Sequence, residues 1–114
     1  MSFRREPLGQ KVVPCVSPAI RRAAMGETCT LQLECCIGGT ETTVFAHLRF
    51  PGDGIGRKPP DYSGVMACER CHAALDGRDG LGWMCGDADK LRAWRLTMDR
   101  LYARGLIVTK EIGK

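Results

Sequence analysis

The chain has 114 residues, of which 44% are hydrophobic and 26% charged, with a formal net charge of +4 at pH 7. This length fits one domain with a modest core, and the composition excludes a disordered or fibrous chain. No apolar run reaches the ~18 residues of a membrane span. The small positive charge is compatible with a polyanionic partner but is also common in proteins that bind none.

Seven cysteines are many for a chain of this size. They indicate either disulfides in an oxidising compartment or metal ligation in a reducing one. The first residues are charged and no apolar segment typical of a secretory signal follows them. We therefore predict a cytoplasmic protein without membrane contact, whose cysteines are reduced.

An extended or poorly ordered arm is predicted over residues 1–18, because this segment contains three prolines and no sustained periodicity. A single domain is expected over residues 19–114. A short helix is predicted over residues 18–25, since Ser17 can cap it and Pro18 suits the first helical position.

Two β-prone runs follow this helix. The first covers residues 28–33 and the second residues 42–48, which is rich in branched and aromatic side chains. The second run is bounded by a glycine-rich turn and by a Gly/Pro-rich loop over residues 51–61. His47 lies at the end of this second predicted strand.

The C-terminal half predicts two helices and an edge strand. The first helix covers residues 69–76 and is closed by Gly77; the second begins at Asp87 or Asp89 and runs to about Ala103. Residues 106–110 are predicted as a terminal edge strand. One face of the long helix is predicted to lie in the core: Leu91, Trp94, Met98, Leu101 and Tyr102.

Four cysteines have spacings that suit a structural zinc ion. Cys68 and Cys71 form a C-x2-C pair, and Cys29 and Cys36 form a longer C-x6-C pair across a turn. Two such pairs supply the four thiolates that Zn²⁺ prefers. Cys35 can replace Cys36 as ligand, because spacing does not distinguish adjacent cysteines, and buried thiols without metal are the alternative.

The Cys68 to His72 segment also matches two other cysteine motifs. Its C-x-x-C-H pattern is that of haem attachment, which normally accompanies export, and no export signal is visible. A thioredoxin-like redox motif expects a βαβ context, whereas a Gly/Pro-rich loop precedes this one. We therefore favour metal binding.

The two histidines of the chain fall at informative places. His47 ends a predicted strand and His72 directly follows the C-x2-C pair. Histidine can accept a proton from water near neutral pH and can bind a divalent cation. Taken singly, each is more often a surface or capping residue.

These residues together resemble a known family. The matching segments are residues 22–29, 41–49, 58–61 and 67–72, within about residues 20–78. They resemble the YbcO-like family of proposed nucleases encoded by phages and prophages. This family is distantly related to the RecA-dependent nuclease Ref in the HNH, or ββα-metal, group.

The resemblance implies an α+β fold: a small zinc-braced ββα-metal domain, HNH-like, with an added C-terminal helix. It implies that His47 is the general base and that His72 binds a second, catalytic divalent ion, Mg²⁺ or Mn²⁺. Many HNH sites have an acidic ligand directly before the first histidine, where this chain has Ala46. Asp61 is the nearest substitute for the missing middle asparagine and a candidate ligand of the second ion. Asp76, one helical turn after His72, can orient its ring or join the metal.

The expected substrate is DNA, cut by a metal-dependent endonuclease. Basic residues around the proposed site can contact phosphates, although solvated surface charge is the competing explanation; they are Arg49, Arg57, Lys58 and Arg70. The alternative function is a catalytically inactive zinc module that binds nucleic acid or a recombination protein.

Overall fold

A β-hairpin flanked by helices forms the framework of the protein. The computed structural model describes residues 14–50 and 58–111. Within these ranges the elements are α1 (Pro18–Arg22), β1 (Val44–His47), β2 (Gly64–Ala67), α2 (Glu69–Leu75), two single 3-10 turns (Arg78–Gly80 and Gly82–Met84) and α3 (Asp87–Ala103). The result is a small domain of mixed helices and strands, as predicted.

The two strands pair antiparallel, and their register places His47 opposite Gly64. β1 lies within the predicted strand 42–48, whereas β2 is buried along its whole length and was not predicted. Gly64 is required at this position because a Cβ there would overlap the ring of Phe45. His47 and Gly64 are thus the last pair before the connection that joins the two strands.

Helices α1 and α2 begin at the predicted residues. The Ser17 hydroxyl accepts a hydrogen bond from the Ile20 amide at 3.2 Å, although α1 ends at Arg22 rather than near residue 25. Cys68 caps α2 directly after β2, and Gly77 follows the helix with a φ of 71°. A positive φ suits glycine and ends the helix.

The predicted strand over residues 28–33 does not form. The Thr30 amide does donate to the Met66 carbonyl, at 2.7 Å. However, the Thr30 hydroxyl, and not a backbone carbonyl, accepts from the Met66 amide at 3.0 Å. Gln32 then takes a φ of 49°, which breaks an extended run. The segment lies beside β2 without becoming part of the sheet.

The predicted edge strand over residues 106–110 is also absent. Gly105, with a φ of 73°, ends α3. The Leu106 amide then donates to the Leu101 carbonyl at 2.9 Å, the backbone pattern of a Schellman cap. This bond turns the chain back, and Leu106 and Ile107 pack against the cluster formed around Met66.

The long helix α3 buries a face rotated from the predicted one. Ala93, Thr97 and Leu101 are buried, and the Thr97 hydroxyl bonds to that of Thr30 at 3.0 Å. Of the five residues predicted for the core, Trp94 and Met98 are half-buried, while Leu91 and Tyr102 are 66% and 61% exposed. The prediction is therefore confirmed for Leu101 and wrong for Leu91 and Tyr102, while the small residues Ala93 and Thr97 are buried in their place.

The predicted N-terminal arm lies mostly outside the described residues, which begin at Pro14. Its last residues contact the domain: the Ser17 amide donates to the Asp61 carboxylate at 2.6 Å, and the Asp61 amide donates to the Cys15 carbonyl at 2.9 Å. Most of the predicted loop over residues 51–61 also lies outside the described residues.

Candidate functional site

Four cysteines meet in one cluster. The Sγ atoms of Cys29, Cys36, Cys68 and Cys71 all lie within 4.8 Å of one another, and only Cys36 is not fully buried. Cys36 and Cys68 are separated by 3.8 Å, close to the ~3.8 Å between ligands of a tetrahedral ion with bonds of about 2.3 Å. This donor set can hold a thiophilic metal ion.

Cys35 lies outside the cluster, which resolves the choice between adjacent cysteines. Its thiol donates to the Arg70 carbonyl at 3.6 Å instead. All seven cysteines are free thiols. The cluster is therefore a set of thiols and not a disulfide framework.

The environment of the four thiols differs from one to the next. Burial raises the pKa of Cys71 and of Cys36, and the neighbouring sulfur of Cys29 raises both further. Burial also raises the pKa of Cys68, but hydrogen bonds from the amides of Cys71 and Ile37 outweigh it and lower that pKa to about 7. One thiolate is thus favoured near neutrality, while four thiolates this close require a cation to offset their repulsion.

His47 is held by a buried carboxylate. Its Nε2 lies 2.8 Å from Oδ1 of Asp61, whose side chain is fully buried. The other contacts of this carboxylate come from the Arg21 guanidinium, whose Nε lies 3.0 Å from Oδ2, and from the Ser17 amide. Three donors therefore converge on Asp61, two from α1 and its N-cap and one from β1.

These contacts determine the protonation of the pair. Burial raises the pKa of Asp61, but the hydrogen bonds from Ser17, His47 and Arg21 outweigh it and lower the pKa below its ordinary value. An ionised carboxylate can only accept, so Nε2 of His47 carries the proton. In a neutral imidazole, Nδ1 is then the ring nitrogen with the free lone pair.

Asp61 was predicted as a metal ligand, and its contacts disfavour that role. Both of its oxygens already accept hydrogen bonds from this chain. A carboxylate with these contacts can hold the His47 ring in one orientation.

His72 and Asp76 form the second histidine and carboxylate pair. His72 Nε2 lies 3.3 Å from Asp76 Oδ2, at the i, i+4 spacing predicted for one face of α2. Asp76 also lies 3.4 Å from the Arg78 guanidinium. The pair is half exposed, so its donor atoms are accessible to an ion from solvent.

A cavity of about 420 Å³ is lined by one residue of each pair, His47 and Asp76. Its walls include His47, Arg49, Asp76 and Lys90. His72 is not among the described residues that line it, although its partner Asp76 is. Lys90, which lies on α3, was missed by sequence analysis because nothing in its local sequence indicates proximity to His47.

The other predicted phosphate contacts lie elsewhere or remain untested. Arg70 is 3.9 Å from Asp79 on the surface, and Lys58 is exposed. Neither belongs to the described lining of the cavity. Arg57 lies outside the described residues.

In the described part of the chain, no helix is long and apolar enough to cross a membrane.

The fold and site define a small α+β domain with a four-cysteine cluster that can hold a metal. Two pairs, each of a histidine and a carboxylate, lie nearby. Residues 18–113 match the family described as "Putative nuclease YbcO". The chain belongs to this family, whose members relate to phages and prophages, as its sequence predicts.

Two relatives carry the same description. "Putative nuclease YbcO" of Escherichia coli (strain K12) and its counterpart in Enterobacteria phage 82 are each 43% identical over 61 residues. The aligned part spans 52% of this chain and 64% of each relative. The solved "Structure of a putative bacteriophage protein from Escherichia coli str. K-12 substr. MG1655" is similar with a TM-score of 0.61 and 31% identity, over 76% of this chain and 100% of that one.

Proposed function

We propose that this protein is a metal-dependent endonuclease of the HNH, or ββα-metal, type that hydrolyses phosphodiester bonds of DNA. The observation that carries the proposal is His47, which is held by the buried Asp61 and borders a cavity shared with Asp76, Arg49 and Lys90. The nuclease description of the relatives agrees with it.

In the proposed reaction, Nδ1 of His47 removes a proton from the attacking water as the new P–O bond forms and the bond to the leaving oxygen breaks. The carboxylate of Asp61 keeps the ring in the required tautomer and stabilises the imidazolium that results. Arg49 and Lys90, which border the same cavity, are positioned to bind the phosphate diester and its neighbours. The leaving oxygen receives its proton from solvent.

The second divalent ion of the proposal is Mg²⁺ or Mn²⁺, and His72 and Asp76 are the residues that would hold it. When bound, it would supply the positive charge that neutralises the phosphate and the leaving oxygen. One imidazole and one carboxylate, 3.3 Å apart, fit such an ion, while the remaining positions would be left to water and phosphate.

The four-cysteine cluster would hold the structural ion, and we propose Zn²⁺ in the reducing cytoplasm. Cys68 and Cys71 belong to the start of α2, directly after β2. Cys29 and Cys36 come from the segment beside the hairpin. A bound ion would therefore tie the hairpin, α2 and that segment together without taking part in the reaction.

A second candidate function is a catalytically inactive zinc module that binds nucleic acid or a recombination protein. Ala46 favours it, because many HNH sites have an acidic metal ligand at the corresponding position. Here residue 46 is only 3% exposed and packs in the core. The chain thus offers fewer charged ligands for a catalytic ion than those sites do.

A plasmid-nicking assay with Mg²⁺ or Mn²⁺ tests these alternatives. We expect the wild type to convert supercoiled plasmid to the nicked form, and His47→Ala to lower the rate about 10²- to 10⁴-fold, as loss of a general base does. The variant, purified in parallel, also controls for contaminating nucleases. Its thermal stability and zinc content should match those of the wild type.

His72→Ala separates the two histidine roles. If His72 binds the ion, raising the Mn²⁺ concentration should restore part of the lost rate in His72→Ala, whereas no concentration should restore it in His47→Ala. If the wild-type protein binds DNA but cleaves it with neither Mg²⁺ nor Mn²⁺, the result would support the inactive module instead.

A further inference from the structure

A second cavity, of about 630 Å³, lies beside the one at His47. The two share Leu48, Arg49 and Lys90 as lining residues. Three aromatic residues, Phe50, Tyr62 and Trp94, line the second cavity, which we call the aromatic cavity. Its size falls within the ~300–1,000 Å³ typical of sites for small organic groups.

The apolar wall of this aromatic cavity is exposed. Phe50 is 56%, Tyr62 49% and Leu91 66% exposed, and all three line the cavity. Large apolar side chains grouped at one place on a surface mark a binding site more often than scattered ones do. Leu91 is also one of the two residues that sequence periodicity wrongly assigns to the core.

The aromatic wall is held in place by a specific hydrogen bond. The indole N–H of Trp94 donates to the Tyr62 carbonyl at 2.8 Å. This bond ties α3 to the segment before β2 and restricts rotation of the indole. A site with a fixed ring loses little conformational entropy when a second flat ring stacks against it.

Charge is placed at the boundary between the two cavities. Arg49 and Lys90 line both cavities. Among the described residues, the remaining wall of the aromatic cavity carries one acidic residue, Asp87, which lies 3.9 Å from Lys90. A ligand with an uncharged aromatic ring and an attached phosphate matches this pattern. The ring would occupy the apolar wall and the phosphate would lie toward His47.

We propose that the aromatic cavity seats an unpaired nucleobase, so that the protein acts on single-stranded DNA or on the single-stranded part of a branched duplex. The choice of DNA rests on the proposed endonuclease function. Aromatic side chains bind single strands by stacking on bases, together with cations that contact the backbone. A base within a duplex must first be unpaired and unstacked before it can enter such a site, which disfavours duplex DNA.

Fluorescence anisotropy tests this without requiring cleavage. Labelled oligothymidine, an abasic strand of the same length and a blunt duplex are titrated with the full chain, with no added Mg²⁺ or Mn²⁺. We expect Tyr62→Ala to weaken oligothymidine binding about tenfold, as loss of one stacked base does. Tyr62→Phe should retain wild-type affinity, since stacking needs the ring and not the hydroxyl.

Tyr62→Ala is a suitable variant because it keeps the backbone carbonyl that binds Trp94. The matched control is Tyr102→Ala, which removes a tyrosine of α3 that is 61% exposed, against 49% for Tyr62, and that lies outside the described lining of the cavity. Its affinity for oligothymidine should be unchanged. Equal thermal stability and zinc content of the variants exclude a folding defect.

The results separate this proposal from the endonuclease. Equal affinity for the duplex or for the abasic strand, no binding of oligothymidine, or a Tyr62→Ala variant with wild-type affinity would each overturn the nucleobase site. If the plasmid assay shows no cleavage while Tyr62→Ala still loses affinity, the nucleobase site stands and the endonuclease proposal falls.

Discussion

The replacement of Asp61 by asparagine tests the network that holds His47. The substitution preserves side-chain size and removes the charge that Arg21, His47 and the Ser17 amide contact. The asparagine amide has one acceptor oxygen and one NH2 group, so the NH2 group must face at least one of these donors. We expect both stability and activity to fall.

The size of the stability loss follows from burial. A hydrogen bond to a charged group contributes about 1.5–3 kcal/mol, and breaking a fully buried ion pair costs about 3–5 kcal/mol. Asp61 is fully buried, but the Arg21 side chain is 36% exposed, so water can solvate the guanidinium once its partner is neutral. We therefore expect a loss of about 2–3 kcal/mol, which lowers Tm by roughly 10 °C in a domain of this size.

The activity loss should be smaller than that of His47→Ala, because the imidazole remains. Loss of the partner that orients a functional histidine typically costs about 10- to 100-fold. Thermal unfolding followed by circular dichroism, and plasmid nicking with Mg²⁺ or Mn²⁺, measure the two effects. Asp99→Asn, at an exposed position on α3, is the matched control and should change neither.

The pH dependence gives a further check. The pKa of Asp61 is lowered in the folded protein, so its contribution to stability is present above about pH 4, the ordinary value for aspartate. The contribution is lost as the pH falls through the folded pKa. The stability gap between wild type and Asp61→Asn should therefore narrow below about pH 4. An Asp61→Asn protein as stable as Asp99→Asn at pH 7 would refute the reasoning.

Two further predictions concern the framework. Cys68→Ser should lose bound zinc and unfold at a much lower temperature. The control Cys35→Ser, which alters a thiol outside the cluster, should keep one zinc per chain. Elemental analysis measures the zinc content, and equal content in both variants would contradict the assignment. Gly64→Ala should lower the free energy of unfolding by about 1–3 kcal/mol, because the added Cβ would overlap the Phe45 ring and lie 3.0 Å from the Ala46 carbonyl oxygen. Urea denaturation measures the free energy of unfolding. An unchanged denaturation midpoint would show that the ring moves aside freely.

Several features could be predicted from the sequence because they depend on local chemistry. The start of α1 at Pro18 and the end of α2 before Gly77 follow from capping and backbone preferences that act within a few residues. The pairing of His72 with Asp76 follows from helical periodicity. The spacing of the cysteines likewise predicted a four-cysteine metal site, since short turns bring such pairs together.

Predictions failed where side-chain contacts between distant segments compete with local preference. Residues 28–33 have strand propensity, yet the Thr30 hydroxyl takes the hydrogen bond that a ladder would need. On α3, the apolar stripe predicts the core face. However, the approach of the helix to β2 leaves room for Ala93 and Thr97 rather than for Leu91.

The candidate site shows the same difference between features that depend on local sequence and features that depend on contacts between distant segments. The sequence by itself determined which residue types are available: four cysteines in two pairs, two histidines and the carboxylates near them. Only the tertiary structure decided that Asp61 binds His47, that Cys36 rather than Cys35 joins the cluster, and that Lys90 and Trp94 lie beside the same hairpin. These contacts join residues that are far apart in the chain or indistinguishable by spacing, so packing of the whole domain determines them.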